Sequence, residues 1–222
     1  MQSLLDQSDL TQLAERLVAA ARRAGADQAD ALAVRSISLS VEVRDGAVEE
    51  SERSEGDDLG LRVIVGHKQA VVSTNDLKGD GFDALAERAV TMARAAPDDR
   101  FAGLAEANQL AREVAQEVAA LDLLDPEMPD VNVLEARARE AEAAGLAVRG
   151  VTKSGGASAS AGIGGLVLVT SHGFHGATIA SRHGISMTAI AGDGTAMERD
   201  YDFSSTLHAS DLNSAGSARP AN

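Results

Sequence analysis

The feature that most constrains the fold is a change of hydrophobic period that occurs twice along the chain. Residues 8–24 place apolar side chains every three or four positions and are followed by Gly25, which predicts an amphipathic helix. Residues 32–73 then alternate apolar and polar side chains, as strands with one buried face do. A second helical stretch at 131–144 ends at Gly145 and again precedes alternating segments. The sequence therefore predicts an α+β fold in which a helix precedes an antiparallel meander twice.

Turn and linker signals divide this fold into smaller parts. Asp45-Gly46, Gly56 and Gly66-His67 are turn signals, and they predict about four strands in the first meander. Twelve of the 21 glycines lie in residues 150–222, which predicts a second, closely packed sheet. We therefore expect two mostly antiparallel sheets and about four helices. The predicted regions are a helix, a four-stranded meander and a helix in 1–96, a helical connector in 97–147 with one helix over 104–121, a Gly-rich antiparallel sheet in 148–205, and a short helix with a flexible tail in 206–222.

Composition and charge exclude several classes of function. Aromatic residues make up only 2% of the chain, so few side chains could stack on nucleic-acid bases. The net charge is −14, and residues 1–148 contain 29 acidic against 15 basic side chains. Such a surface repels phosphate backbones and anionic lipid, so we expect neither a nucleic-acid nor a membrane partner. The chain has no cysteine and no long apolar stretch, which is typical of a cytoplasmic protein.

The five histidines do not form a zinc-peptidase motif. Such motifs place two His side chains on one helical face beside a Glu, and no His here is followed by Glu. The only close pair, His172 and His175, lies in a predicted turn between strands. The serines show no nucleophile elbow at a strand-to-helix junction. We therefore expect no catalytic residue and no metal site in this chain; a metal-independent hydrolase that uses Asp or His is the least favoured alternative.

Two charged segments are candidates for contact with other molecules. Residues 49–58 contain six acidic side chains and one Arg, which predicts a solvated strand edge and turn. These acidic residues are also compatible with an alternative function, in which the chain is a stand-alone acidic protein-interaction module without enzymatic activity. The later run 193–203 predicts a final strand with Arg199 and Tyr201 on one face and acidic side chains on the other. Tyr201 is the only tyrosine, and we expect this strand to line an interface or a cleft.

Several stretches, taken in order, resemble the TldD/PmbA family, whose members are called modulators of DNA gyrase and are regarded as peptidases. The order and spacing match over residues 8–212, and the PmbA (TldE) branch is the more similar. The stretches are Asp45-Gly46 with Val48-Glu49, Gly60-Leu61-Arg62-Val63 with Ser73-Thr74-Asn75-Asp76-Leu77, Thr170-Ser171-His172-Gly173-Phe174, and Gly192-Asp193-Gly194 through Arg199-Asp200-Tyr201-Asp202-Phe203.

The resemblance implies an N-terminal scaffold that frames substrate in a TldD/PmbA-type metalloprotease and so takes part in proteolysis. The family's zinc motif belongs to the second half of the TldD branch, so zinc is expected only in a TldD-type partner and no cofactor is expected in this chain. The implied partners are a peptide substrate and either a TldD-type subunit, in a cytoplasmic heterodimer, or a second copy. His172, Phe174, Arg199 and Tyr201 are the residues expected to touch substrate or partner. Family chains continue well beyond this length, so we expect a truncated form that is not a hydrolase by itself.

Overall fold

A computed structural model describes residues 6–213 of the chain. The described part contains four α-helices, six strands and three short 3-10 turns. The helices are α1 (Ser8–Arg23), α2 (Phe82–Ala95), α3 (Val114–Ala120) and α4 (Val131–Leu146). The strands are β1 (Gln28–Arg44), β2 (Ala47–Val65), β3 (Lys68–Thr74), β4 (Val151–Thr170), β5 (His175–Ala191) and β6 (Glu198–Thr206). The predicted flexible tail falls largely on 214–222, which lie outside the described residues.

The six strands form one antiparallel sheet in the order β3-β2-β1-β4-β5-β6. The predicted α+β class with four helices is confirmed, and the prediction of two sheets is wrong. The two meanders join because β1 pairs with β2 along one edge and with β4 along the other. Glycine makes this pairing close, since a Cβ atom on Gly162 would stand only 3.0 Å from the carbonyl oxygen of Ile37.

The first meander has three strands where the turn signals predicted four. The hairpin at Asp45-Gly46 is confirmed, with φ angles of 50° and 73° at its two central residues. The predicted turn at Gly56 is wrong, because β2 runs without interruption through this position. Gly56 does not adopt a left-handed φ, and a Cβ atom there would meet nothing within 4 Å. The acidic side chains around it are compatible with a strand because Glu55 and Asp58 stay exposed to water and the half-buried Asp57 is paired with Arg35 at 2.7 Å.

The connector is less helical than its periodicity predicted. The expected helix over 104–121 is reduced to α3 and a 3-10 turn at Ala107–Gln109. The Gln109 side chain accepts a hydrogen bond from the backbone N–H of Glu106 at 3.1 Å, which closes a capping box around this single turn. Leu110 then adopts an extended backbone, with φ −74° and ψ 137°, and ends the turn.

The chain forms two compact units, and each is assembled from three separate segments. The first unit contains the residues up to Ser36, then Gly56–Leu121 and Gly164–Ile179; the second contains Ile37–Glu55, Asp122–Ile163 and the residues from Ala180 onward. Small and aliphatic side chains make up nearly all of both cores. The core of the first unit includes Leu10, Leu17, Leu59, Leu61 and Phe82. The core of the second includes Val41, Val43, Leu134, Ala138, Ala159 and Ala161.

Candidate functional site

The last strand of the second unit, β6, lies at one end of the sheet. It pairs antiparallel with β5, so that Ile190 stands opposite Arg199, Thr188 opposite Tyr201, and Ser186 opposite Phe203. Since β6 is last in the strand order, its other edge has no strand partner within residues 6–213. An unpartnered edge of this kind can accept an extended chain by main-chain hydrogen bonding.

Three side chains on one face of β6 are unusually exposed. Tyr201 is 69% exposed and Phe203 63% exposed, in a chain that has only four Phe and one Tyr. Arg199 is also exposed, and within the described part of the chain it forms no ion pair or hydrogen bond. Aromatic and Arg side chains are enriched where proteins contact their partners. This row, Arg199, Tyr201 and Phe203, is called the aromatic face of β6 below.

The two faces of β6 have different surroundings. Ser186, opposite Phe203, shares a hydrogen bond of 2.9 Å with Ser158, so small polar side chains continue the aromatic face into the sheet. On the other face Met187 stands opposite Asp202, and a Cβ atom on Gly145 would lie 2.8 Å from the Met187 side chain. Helix α4 therefore packs on the side of the sheet to which Asp202 belongs, and the aromatic face looks away from that helix.

Two acidic side chains of β6, Asp200 and Asp202, accept hydrogen bonds from the backbone of the same strand. The N–H of Tyr201 donates to Asp200 Oδ1 at 2.9 Å, and the N–H of Phe203 donates to Asp202 Oδ1 at 2.8 Å. Two main-chain donors of an outermost strand are thus satisfied by carboxylates.

The predicted turn between β4 and β5 lies in the first unit and borders a cavity. Gly173 takes a left-handed φ of 85° and donates its N–H to the carbonyl oxygen of Thr170 at 3.1 Å. The Phe174 ring folds back over β5, where a Cβ atom on Gly176 would stand 2.8 Å from it. The cavity measures about 640 Å³ and is lined by Ala107, Leu110, Ala111, Arg112, Glu113, Val114, Ala115, Gln116, Gly173, Phe174 and His175.

The two histidines of this turn have separate polar neighbours. His172 Nδ1 lies 3.3 Å from the carbonyl oxygen of Ala105, whereas His175 Nδ1 lies 3.3 Å from Glu15 Oε1. Within residues 6–213, no three His, Asp or Glu side chains lie close enough together to hold a metal ion. These residues do not fit the zinc of a metallopeptidase.

The four predicted contact residues thus form two pairs. Arg199 and Tyr201 lie together on the aromatic face of β6, in the second unit. His172 and Phe174 lie in the turn of the first unit, and of these two only Phe174 lines the cavity.

Sequence reasoning missed a buried polar cluster in the second unit. His183 is fully buried, and its Nε2 atom lies 3.3 Å from Asp125 Oδ2. Ser181, also buried, donates to the carbonyl oxygen of Leu207 at 2.7 Å and accepts from the N–H of Asp125. The signal was present in β5, since Ser181 and His183 occupy alternate positions with the buried Ile185. The cluster ties β5 to two loops that the sequence pattern could not place.

The surroundings of this cluster shift the pKa values of Asp125 and His183. The pKa of Asp125 is lowered, mainly because the N–H groups of Ala209 and Glu127 donate to its carboxylate. Burial lowers the pKa of His183, and the opposing attraction of Asp125 is smaller. Because Ser181 and His183 are buried, this cluster is not accessible to a substrate and has a structural role.

The comparisons with known proteins agree with the sequence resemblance. The family model described as PmbA/TldA metallopeptidase domain 1 matches residues 29–93. The model described as PmbA/TldA metallopeptidase central domain matches residues 124–219. The chain belongs to the TldD/PmbA family. Its relatives include the Metalloprotease PmbA of Escherichia coli O157:H7, which is 30% identical over 187 residues, corresponding to 84% of this chain and 41% of the relative.

A second relative and two solved structures support the same assignment. The Metalloprotease PmbA homolog of Haemophilus influenzae is 29% identical over 198 residues, or 89% of this chain and 43% of the relative. The chain therefore spans less than half the length of the curated relatives it matches. A proposed modulator of DNA gyrase from Bacteroides thetaiotaomicron aligns with a TM-score of 0.80 at 21% identity, over 92% of this chain and 46% of that one. TldE from Thermococcus kodakarensis aligns with a TM-score of 0.70 at 13% identity, over 91% and 44%.

At these identities the structural matches show a common fold and nothing finer. The chain thus contains PmbA/TldE-like metallopeptidase-family domains, as the sequence predicted. In the part that the structure describes, no helix is long and apolar enough to cross a membrane.

Proposed function

We propose that this chain is the substrate-framing part of a PmbA-like subunit, which acts in peptide processing together with a zinc-bearing TldD-type partner. The observation that carries the proposal is the aromatic face of β6, on an outermost strand that has no second strand partner within residues 6–213. An extended peptide that lies along this edge can form main-chain hydrogen bonds while its side chains contact Tyr201 and Phe203. The chain itself supplies no metal and no nucleophile in this scheme, and the complex acts in the cytoplasm.

The test is a reconstitution with a TldD-type subunit. The tagged chain is mixed with the purified zinc-bearing subunit, and co-purification and cleavage of an unstructured peptide are measured. We expect association, and a rate of cleavage that depends on this chain. Absence of both association and any effect on cleavage would refute the proposal.

Two matched double variants test whether an effect on cleavage is specific to β6 or would follow from changing any exposed Arg and aromatic side chain. Arg199→Gln combined with Tyr201→Ala should lower complex-dependent cleavage at least several-fold. The control combines Arg100→Gln with Phe101→Ala. These residues form a similarly exposed Arg–aromatic pair, with the guanidinium 4.6 Å from the ring centroid and Phe101 80% exposed. They belong to the first unit and should leave cleavage unchanged.

The turn beside the cavity is the second proposed contact. Phe174 and the apolar side chains Leu110 and Val114 would hold one side chain of a peptide, while Arg112 and Gln116, which also line the cavity, would supply polar contacts. Phe174→Ala should raise the KM for an apolar peptide more than it changes kcat. His172→Ala tests whether the neighbouring imidazole, which does not line the cavity, contributes to this contact.

The alternative is an acidic docking module, and one observation favours it. All ten residues of β2 from Ala47 to Gly56 are exposed, and they include Glu49, Glu50, Glu52 and Glu55. A basic partner attracted by these charges would bind in a strongly salt-dependent manner. Association that is insensitive to salt between low and physiological concentration would argue against this alternative.

A further inference from the structure

The carboxylates of β6 occupy the hydrogen-bond donors that a new strand would need. In an antiparallel ladder, alternate residues of a strand turn their N–H and C=O groups to the same side. Tyr201 and Phe203 are two residues apart, and both donate their N–H to the preceding Asp side chain. The N–H of Ser181 on β5 donates to Leu123 and not to β4, so alternate residues from Ser181 onward in β5 turn their main chain toward β6. In the register these residues stand opposite Asp200 and Asp202, and the N–H groups of Tyr201 and Phe203 therefore face away from β5. The unpartnered edge is therefore closed at two adjacent positions.

Closing the edge in this way makes docking selective. A neutral strand that pairs with this edge would have to displace Asp200 and Asp202 from these N–H groups, and it would offer the two carboxylates no cation in return. A strand with Lys or Arg opposite these positions offers each carboxylate a cation in exchange. The N–H groups of Tyr201 and Phe203 then become free to bind the carbonyl oxygens of the incoming chain. Opposite charges directly across a strand pair are favourable, and like charges are unfavourable.

The same charges disfavour a second copy of β6 as the occupant. If two β6 strands paired antiparallel about Tyr201, Asp200 of each copy would face Asp202 of the other. If they paired about Asp200, that residue would face itself and Glu198 would face Asp202. Both registers place like charges across the pair, which natural edge strands use to prevent self-association.

The aromatic face of β6 favours apolar side chains at the peptide positions between the basic ones. Side chains of an extended chain alternate between the two faces of a sheet. A peptide whose basic side chains reach Asp200 and Asp202 therefore directs its intervening side chains toward Tyr201 and Phe203, where apolar groups are favoured.

We propose that the outer edge of β6 binds extended peptides that alternate basic and apolar residues, and that Asp200 and Asp202 keep this edge closed to other strands. The inference rests on the proposed function and specifies the chemistry of the peptide. It concerns binding by this chain alone, so it can fail while the cleavage experiment above succeeds.

The test compares three short peptides that carry blocked termini. One alternates Lys and Val, one contains the same residues as a Lys block followed by a Val block, and one alternates Glu and Val. Binding to the full chain is measured by fluorescence anisotropy at physiological salt. We expect the alternating Lys peptide to bind about tenfold more tightly than the block peptide, the scale expected for a few cross-strand charge pairs. The Glu peptide should not bind.

Variants assign the effect to the two carboxylates. Asp200→Asn with Asp202→Asn should remove the preference for the alternating peptide. The control, Asp80→Asn with Asp98→Asn, changes the net charge equally at exposed acids that have no bond within residues 6–213, and it should keep the preference. Amide hydrogen exchange at Tyr201 and Phe203 should slow when the alternating Lys peptide binds, because their N–H groups then enter a ladder.

Three results would overturn the proposal. Equal affinity for the alternating and block Lys peptides would mean that only the net charge of −14 attracts them. Unchanged selectivity in the Asp200 and Asp202 variant would remove the proposed role of these carboxylates. A concentration-dependent dimer that the peptide dissociates would assign the edge to a second copy of this chain.

Discussion

The carboxylate of Glu142 stabilises the first hairpin from a distance in sequence, and its removal provides a quantitative test. Glu142 lies on α4 and is only 2% exposed. It accepts hydrogen bonds from the N–H groups of Asp45 and Gly46, each at 2.8 Å, and from the hydroxyl of the buried Ser154. Both N–H groups belong to the turn with positive φ, so one side chain fixes that turn against the helix.

The expected loss follows from these three bonds. A hydrogen bond to a charged group contributes about 1.5–3 kcal/mol to stability. In Glu142→Ala, water can replace the carboxylate at the exposed turn but not fully at Ser154, so we expect a loss of about 3 kcal/mol rather than the full sum. For a chain of this size that corresponds to a fall in Tm of about 6–12 °C. Glu140→Ala is the control, because Glu140 is exposed on the same helix and should change Tm very little.

The pH dependence of the same interaction gives an independent check. Burial acts to raise the pKa of Glu142, but the hydrogen bonds from Ser154, Gly46 and Asp45 outweigh it and the pKa is lowered. The stabilisation is therefore complete above the ordinary glutamate value of about 4.3 and is lost as the pH falls through the lower native value. Urea titrations of the wild type and Glu142→Gln should thus converge as the pH falls below about 4. A constant difference down to the lowest pH, or a loss no larger than that of Glu140→Ala, would refute the reasoning.

Three further substitutions test other parts of the structure. Gly192→Ala should lower the free energy of unfolding, measured by urea denaturation, by at least about 1–2 kcal/mol. Gly192 has a φ of 76°, and a Cβ atom there would lie 2.4 Å from the carbonyl oxygen of Ala196. Gly164→Ala is the control, because a Cβ atom at Gly164 would meet no atom within 4 Å. His183→Asn should flatten the loss of stability between pH 7 and 5, because burial lowers the pKa of His183 and the unfolded chain alone gains a proton as the pH falls through about 6.5. An unchanged slope would contradict that account. Gly176→Ala should displace the Phe174 ring, since its Cβ atom would lie 2.8 Å from that ring, and should weaken apolar peptide binding as Phe174→Ala does; full binding would exclude a role for this ring position.

Local signals predicted the helices and hairpins well, because their causes lie within a few residues. Asp130, directly before α4, accepts hydrogen bonds from the N–H groups of Asn132 and Val133 and so caps the helix locally. The Asp45-Gly46 turn has the positive φ angles that this dipeptide favours. The prediction of a turn at Gly56 was wrong because glycine is compatible with an extended strand as well as with a turn. Periodicity could not show that Leu110 leaves the helical conformation after one capped turn.

Long-range pairing was the main feature that the sequence could not supply. Nothing in the sequence pattern of β1 indicates whether its second edge pairs with another strand. The pattern is therefore equally compatible with one sheet and with two sheets. Arg199 and Tyr201 were selected as candidate contact residues because they are distinctive in a chain with few aromatics, and their contact with substrate or partner stays a prediction. The buried polar cluster of Asp125, Ser181 and His183 was missed because Asp125 is distant in sequence from the other two and because Asp and Ser are usually exposed.

The pairing of β1 with β4 also has a consequence for synthesis of the chain on the ribosome. The first hairpin is available as soon as β2 has emerged, but the edge of β1 that faces β4 stays open until residues on the order of 100 positions later follow. At ordinary translation rates this delay lasts about 5–20 s. Throughout that interval the nascent chain exposes a strand edge of which Val41 and Val43 are part, and we expect chaperone contacts to concentrate there until β4 arrives.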